Sequence, residues 1–173
     1  FNKVKELIVS LGGGLSSDTR FSVLQGVDGG LDISSVQQSA LEEKVRGMSR
    51  SDLELHARTP EILARAIDAP FRQDVQRVVI LVTSDVPFLS GANCGAKSPE
   101  DCTRDLVRSF QKDDGARLVH IGVGKDTQGF LHGEDIAEFN LLSTSIEQVR
   151  QELLQLVACG ERSAVEERML SEE

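Results

Sequence analysis

Apolar residues recur along the chain at spacings that alternate between those of helices and those of strands. Val4, Leu7, Ile8 and Leu11 fall at i, i+3, i+4 and i+7, which predicts a helix halted by Gly12-Gly13-Gly14. The segment Arg20 to Gln25 carries Phe21 and Val23 among polar neighbours. It reads as a strand leading through the turn cluster Gly26 to Gly30 into a short strand at Leu31 to Ile33. Val36, Ala40, Leu41 and Val45 predict a second helix ending near Gly47. Ile62, Leu63, Ala66 and Ile67 predict a third, with Thr59 as its N-cap and Pro60 at its first position.

Val78 to Val82 is a continuous, largely β-branched run, the pattern of a strand covered on both faces inside a parallel sheet. Ser98-Pro99-Glu100-Asp101 starts a helix whose Cys102, Leu106 and Phe110 form one stripe before Gly115. Leu118 to Val123 is a second buried strand and Glu138 to Leu142 a weaker third. Ser145 caps a last helix bearing Ile146, Val149, Leu153 and Leu156 and ending at Cys159-Gly160. Alternating strands and helices favour a three-layer, doubly wound α/β domain: a mostly parallel sheet with helices on both faces. One domain over residues 1–160 is expected, with 161–173 as a charged, fraying tail or linker.

Composition narrows the function. Nineteen Lys and Arg against 28 Asp and Glu leave a net charge of −9. With no basic stripe, broad contact with nucleic acid is not expected, because that binding uses clustered cations to displace counterions. The longest apolar run falls far short of the roughly 20 residues of a membrane-spanning helix. Phe1 opens a polar stretch with no apolar leader region, so no secretory signal is expected there. The three cysteines, Cys94, Cys102 and Cys159, form no C-x-x-C and no zinc-ligand cluster. They leave two alternatives. A local pair with the third bonded elsewhere fits an oxidising compartment, and three free thiols fit the cytosol. Cys94 and Cys102 are near enough in sequence to close a small surface loop, and unpaired thiols are the other reading.

Enzyme signatures fail on spacing. Gly122-Val123-Gly124-Lys125 follows a strand, but a phosphate loop needs glycine where Val119 stands and Ser or Thr where Asp126 stands. No G-x-G-x-x-G opens a helix after the first strand. His56, His120 and His132 match no hydrolase motif, and His120, inside a predicted strand, reads as a satisfied or edge histidine.

Five stretches in order resemble a von Willebrand factor type A domain across residues 1–160: Phe1 to Leu7, Thr19 to Gln25, Arg77 to Thr83, Gly115 to Gly124, and Cys159 at the end of the last helix. The Ile121-Gly122-Val123-Gly124 segment is the most specific of them. The resemblance implies a Rossmann-like fold in which a central strand, preceding the first helix, delivers Asp-x-Ser-x-Ser to a Mg²⁺ site completed by a Thr and an Asp from later loops. The sequence opens after that strand, so an N-terminally truncated domain is expected, or one whose gap another segment fills. Asp32-Ile33-Ser34-Ser35-Val36 lacks the last Ser and lies in the wrong place. Where the family carries Thr-Asp-Gly, this chain carries Thr83-Ser84-Asp85, a hydroxyl replacing the carboxylate. The loop Thr is matched by Thr59, or by Ala57 in the other alignment.

A hard cation needs a full set of oxygen ligands, so a degenerate metal site is expected, with Mg²⁺ held weakly at most and Thr59 and Asp85 as weak candidates. The family further implies a non-enzymatic interaction module of an extracellular matrix or adhesion protein, collagen- or matrilin-like and secreted. Its protein ligand, with sister domains in a longer chain, would meet a rim marked by Thr59, Ser84 and Asp85. Cys159 would pair with an N-terminal cysteine outside these residues. The alternatives are an intracellular doubly wound enzyme or nucleotide-binding protein, and an intracellular type A scaffold domain.

Overall fold

The computed structural model describes residues 1–24, 31–48, 59–71, 75–84, 87, 94–112, 116–125, 127, 130–131, 133–134 and 136–157, with 31–35 described by backbone only. Helix α1 spans Asn2–Gly12 and is followed by strands β1, Arg20–Leu24, and β2, Leu31–Gln37. Helices α2, Gln38–Gly47, and α3, Thr59–Ile67, precede strand β3, Arg77–Thr83. Helix α4, Pro99–Gln111, strand β4, Ala116–Gly122, and strand β5, Ala137–Asn140, come next, and helix α5 covers 146–157.

Among the described residues the strands form two groups. β1 and β2 make an antiparallel hairpin, and β3, β4 and β5 make a parallel sheet in that order. The β3–β4 register pairs Leu81 with His120 and Thr83 with Gly122, and β5 pairs Glu138 with His120. One apolar cluster joins Leu63 of α3 and Val107 and Phe110 of α4 to Val79, Leu81 and Leu118 on one face of the sheet. A second joins Leu7 and Leu11 of α1 and Val149 and Leu153 of α5 to Val119 and Ile121 on the other. A third seats Leu41 and Val45 of α2 against α1 and the hairpin. These are the expected three α/β layers, since alternate side chains of a strand face opposite sides and each side needs cover.

Local chemistry explains the element ends. The Ser98 hydroxyl accepts from the Asp101 amide and Pro99 sits in the first turn of α4, with Glu100 and Asp101 complementing the helix dipole. On α5, the Gln148 amide donates to Ser145 Oγ, as the expected cap does.

Some boundaries differ from expectation. β2 runs to Gln37, so Val36 belongs to the strand and α2 starts at Gln38. A β-branched residue beside a hairpin partner, here Phe21 opposite Val36, pairs before it coils. α3 already includes Thr59 as its first residue. β4 begins at Ala116 and leaves Val123 beyond its end, and β5 ends at Asn140. Leu141 and Leu142 turn away there because the Asn140 side chain accepts from the Leu142 amide, 2.8 Å, and starts a turn. Leu142 is accordingly 58% exposed. The largest difference concerns β3. Its sequence reads as a sheet interior, yet among the described strands it stands at the edge of its sheet, with Ile80 38% exposed.

Candidate functional site

The carboxyl ends of β3, β4 and β5 meet at one rim. The Val123 amide donates to the Thr83 carbonyl, 2.8 Å, and the Leu141 amide to the Gly122 carbonyl, 2.9 Å, so the loops leave the sheet side by side. Gly124 is needed there: a β-carbon on it would overlap the carbonyl oxygen of Ser84. A β-carbon on Gly122 would overlap the Thr127 hydroxyl. That hydroxyl donates to the Gly124 carbonyl, 2.9 Å, and the Asn140 amide group donates to the same oxygen, 3.3 Å. Gly124 therefore lets the β3 and β4 loops touch backbone to backbone, and Gly122 leaves room for the Thr127 side chain.

Beneath the rim lies a chain of polar side chains that the sequence reading did not assemble. Thr83 Oγ1 is 2.8 Å from His120 Nε2, and His120 Nδ1 is 2.9 Å from Glu138 Oε1. His120 is 1% exposed and meets the Phe130 ring edge to face at 4.9 Å. Burial pushes the imidazole below its ordinary value, opposed by its hydrogen bond and attraction to Glu138. The ring is neutral at pH 7, and the tautomer that satisfies both neighbours carries its proton on Nδ1. There it donates to Glu138, while Nε2 accepts from the Thr83 hydroxyl. The order hydroxyl, imidazole, carboxylate is that of a hydrolase triad, and its Thr83 is 6% exposed. The chain ties β3, β4 and β5 together as a satisfied polar core. His120 is thus the satisfied histidine expected, on the middle strand of the three.

Of the three rim residues named from the sequence, Ser84 is exposed at the end of β3. Thr59 is 3% exposed at the start of α3, a position without open access from solvent. Asp85 lies outside the described residues, as do Ala57, His56, His132 and Cys159. Among the described residues no three or more His, Cys, Asp or Glu side chains gather to hold a metal ion. The described rim offers the Ser84 hydroxyl, while that of Thr83 is engaged by His120. Among the described residues these hydroxyls alone fall short of the six or more oxygens, carboxylates among them, that a hard cation takes.

Cys94 and Cys102 form a disulfide that pins the start of α4 to the turn before it. On the same side, Arg108 forms a two-pronged ion pair with Glu134 at 2.7 and 2.8 Å, and Arg104 donates to the Phe130 carbonyl, 2.9 Å. These bonds hold the segment carrying Phe130 over His120. No helix among the described residues is long and apolar enough to cross a membrane.

Helices on both faces of a parallel sheet make this an α/β, Rossmann-like fold, similar to that of a von Willebrand A-like protein. A solved structure, that of proximal thread matrix protein 1 from the mussel byssus with zinc in its MIDAS motif, is similar to it over 90% of this chain, with a TM-score of 0.67 and 19% identity. The match covers 40% of that chain, so these 173 residues correspond to less than half of the mussel protein. No family model and no curated protein matches the sequence.

Proposed function

We propose that this chain is a non-enzymatic protein-interaction module of an extracellular matrix or adhesion protein, secreted, with a degenerate metal site. The observation that carries this reading is the likeness of fold, over 90% of the chain, to a protein of an extracellular thread matrix. The Cys94–Cys102 disulfide supports an oxidising compartment, since cytosolic thiols are kept reduced. Residues 1–160 act as the domain and 161–173 as a tail. Ligand contact falls on the rim at the carboxyl ends of the strands, where open α/β sheets place their sites, with Ser84 and Asp85 as its polar contacts. With the metal-bridged route weakened by Thr83-Ser84-Asp85, recognition rests on protein surface rather than on a shared cation.

Two measurements test this. Immobilised extracellular matrix should bind the chain saturably, equally with Mg²⁺ or chelator, and Ser84→Lys should weaken that binding at least about tenfold, the loss expected from one disrupted central contact. Absence of binding overturns the module. Separately, the melting temperature should be the same in Mg²⁺, Mn²⁺, Zn²⁺ and chelator. A rise with any of these ions overturns the degenerate site, because an ion bound only by the native state must stabilise it.

A further inference from the structure

The Thr83–His120–Glu138 chain runs beneath the rim, and its two hydrogen bonds answer differently to an added proton. With the ring neutral, Nδ1 donates to Glu138 and Nε2 accepts from the Thr83 hydroxyl. The added proton goes to Nε2, the ring nitrogen that lacks one. Nε2 then becomes a donor facing the Thr83 oxygen, and the hydroxyl hydrogen that lay between them must turn away. Thr83 is buried, so little water is at hand to accept that hydrogen. The other bond gains, because imidazolium and carboxylate make a charge-assisted pair. Acid therefore strengthens the hold of β4 on β5 and breaks the proton order that joins β4 to β3.

The groups packed around the ring leave its charge to Glu138. β3 presents the Thr83 hydroxyl to it and β5 the Glu138 carboxylate. The Phe130 ring covers it, and the Phe130 carbonyl accepts from Arg104 of α4, while Arg108 is taken up by Glu134. α3 and α4 pack on this face of the sheet through Leu63, Val107 and Phe110, which do not titrate. Among the described residues Glu138 is the ionisable group bonded to the imidazole, and Asp126, His132 and Asp135 lie outside them. Burial holds the ring below its ordinary value and Glu138 pulls it back up, so the proton is taken below about pH 6.5.

The Thr83 end of the chain leads to the rim. The Thr83 carbonyl accepts from the Val123 amide, the next residue is the exposed Ser84, and Gly124 packs against the Ser84 carbonyl. We propose that Thr83, His120 and Glu138 form an acid-sensitive switch of the rim: protonation of His120 turns the Thr83 hydroxyl away, loosens the Thr83–Val123 and Ser84–Gly124 contacts, and weakens ligand binding there. The effect on binding rests on the rim being the ligand face, as proposed above. The effect on the strand ends does not, and it has its own readout.

Amide hydrogen exchange and imidazole NMR on the folded 173-residue chain, from pH 7.5 to 5, test the switch, with binding to immobilised extracellular matrix followed over the same range. The His120 ring signals should titrate. Over the same interval the protection factor of the Val123 amide should fall at least about tenfold more than that of Val107, which lies in α4 and reports general loosening. Matrix binding should fall with the same midpoint. His120→Gln keeps a donor and an acceptor but cannot titrate, and should hold both Val123 protection and binding level. Glu138→Gln removes the group that favours the imidazolium and should move the midpoint to lower pH. Equal loss at Val123 and Val107 would overturn the switch, and so would a ring that stays neutral until the chain unfolds. Both outcomes are read on the unaltered chain, so they decide the matter even if a variant does not fold. Binding that stays level while Val123 loosens would show that the chain does not govern the rim, and overturn the proposal as well. No binding even at pH 7.5 is the different failure, that of the ligand-face reading.

Discussion

Thr83 and His120 are 37 positions apart in sequence, yet the Thr83 hydroxyl lies 2.8 Å from the imidazole Nε2 and ties the carboxyl end of β3 to the middle of β4. Because Glu138 holds the other ring nitrogen, the three strands share one buried polar chain. Thr83→Val keeps the shape and removes the donor, leaving Nε2 an unpaired buried acceptor. It should cost about 1–2 kcal/mol in urea unfolding. His120→Ala also opens a void beside Phe130 and should cost about 3 kcal/mol or more.

The same histidine makes stability depend on pH. Burial holds its folded value below the ordinary 6.5, so the native state binds fewer protons than the unfolded chain as the pH falls. Its contribution is fully present above about pH 6.5 and is lost progressively below that, down through the depressed folded value. The urea midpoint should therefore fall between pH 7.5 and 5. The fall should be shallower in His120→Gln, which has no titrating ring there, and an identical slope in the two proteins would show that His120 is not the group responsible.

Two glycines should answer oppositely to the same substitution. Gly124→Ala drives a methyl group into the Ser84 carbonyl, a backbone atom that moves only with its loop, and should cost about 2–3 kcal/mol. At Gly47, the last residue of α2, a β-carbon meets nothing within 4 Å, and alanine should be neutral or stabilise by up to about 1 kcal/mol. Thermal melts of both variants check the pair.

The disulfide predicts a redox dependence. Closing the short loop between Cys94 and Cys102 restricts the unfolded chain by about 2.5 kcal/mol on loop-closure entropy. Melting in a strong reductant, or of the Cys94→Ser/Cys102→Ser double variant, should lose about that amount. Thiol counting in denaturant without reductant should find neither of these two cysteines reactive.

Much of the architecture was legible before any coordinates. The i, i+3, i+4 stripes of α1, α3, α4 and α5, the Ser98 cap and the apolar runs of β3 and β4 are local signals, and each element formed within a few residues of where they point. Less of the site was legible. Ser84 stands at the end of β3 as its position implied, but Thr59, read from sequence as a cap or rim ligand, is buried within the first turn of α3. Composition around a threonine does not reveal which neighbours cover it.

What the sequence determined by itself is therefore the class of fold: its alternating elements and its apolar stripes. Those follow from propensity and periodicity, which act over a turn of helix or a few residues of strand. Only the tertiary structure decided that His120 is held between Thr83 and Glu138, because that requires the parallel register of three strands spaced far apart along the chain. It also decided that, among the described strands, the apolar β3 stands at the edge of its sheet. A run of Val, Ile and Leu specifies burial on both faces but not which strand, if any, lies along each edge, since backbone pairing is the same for every residue type.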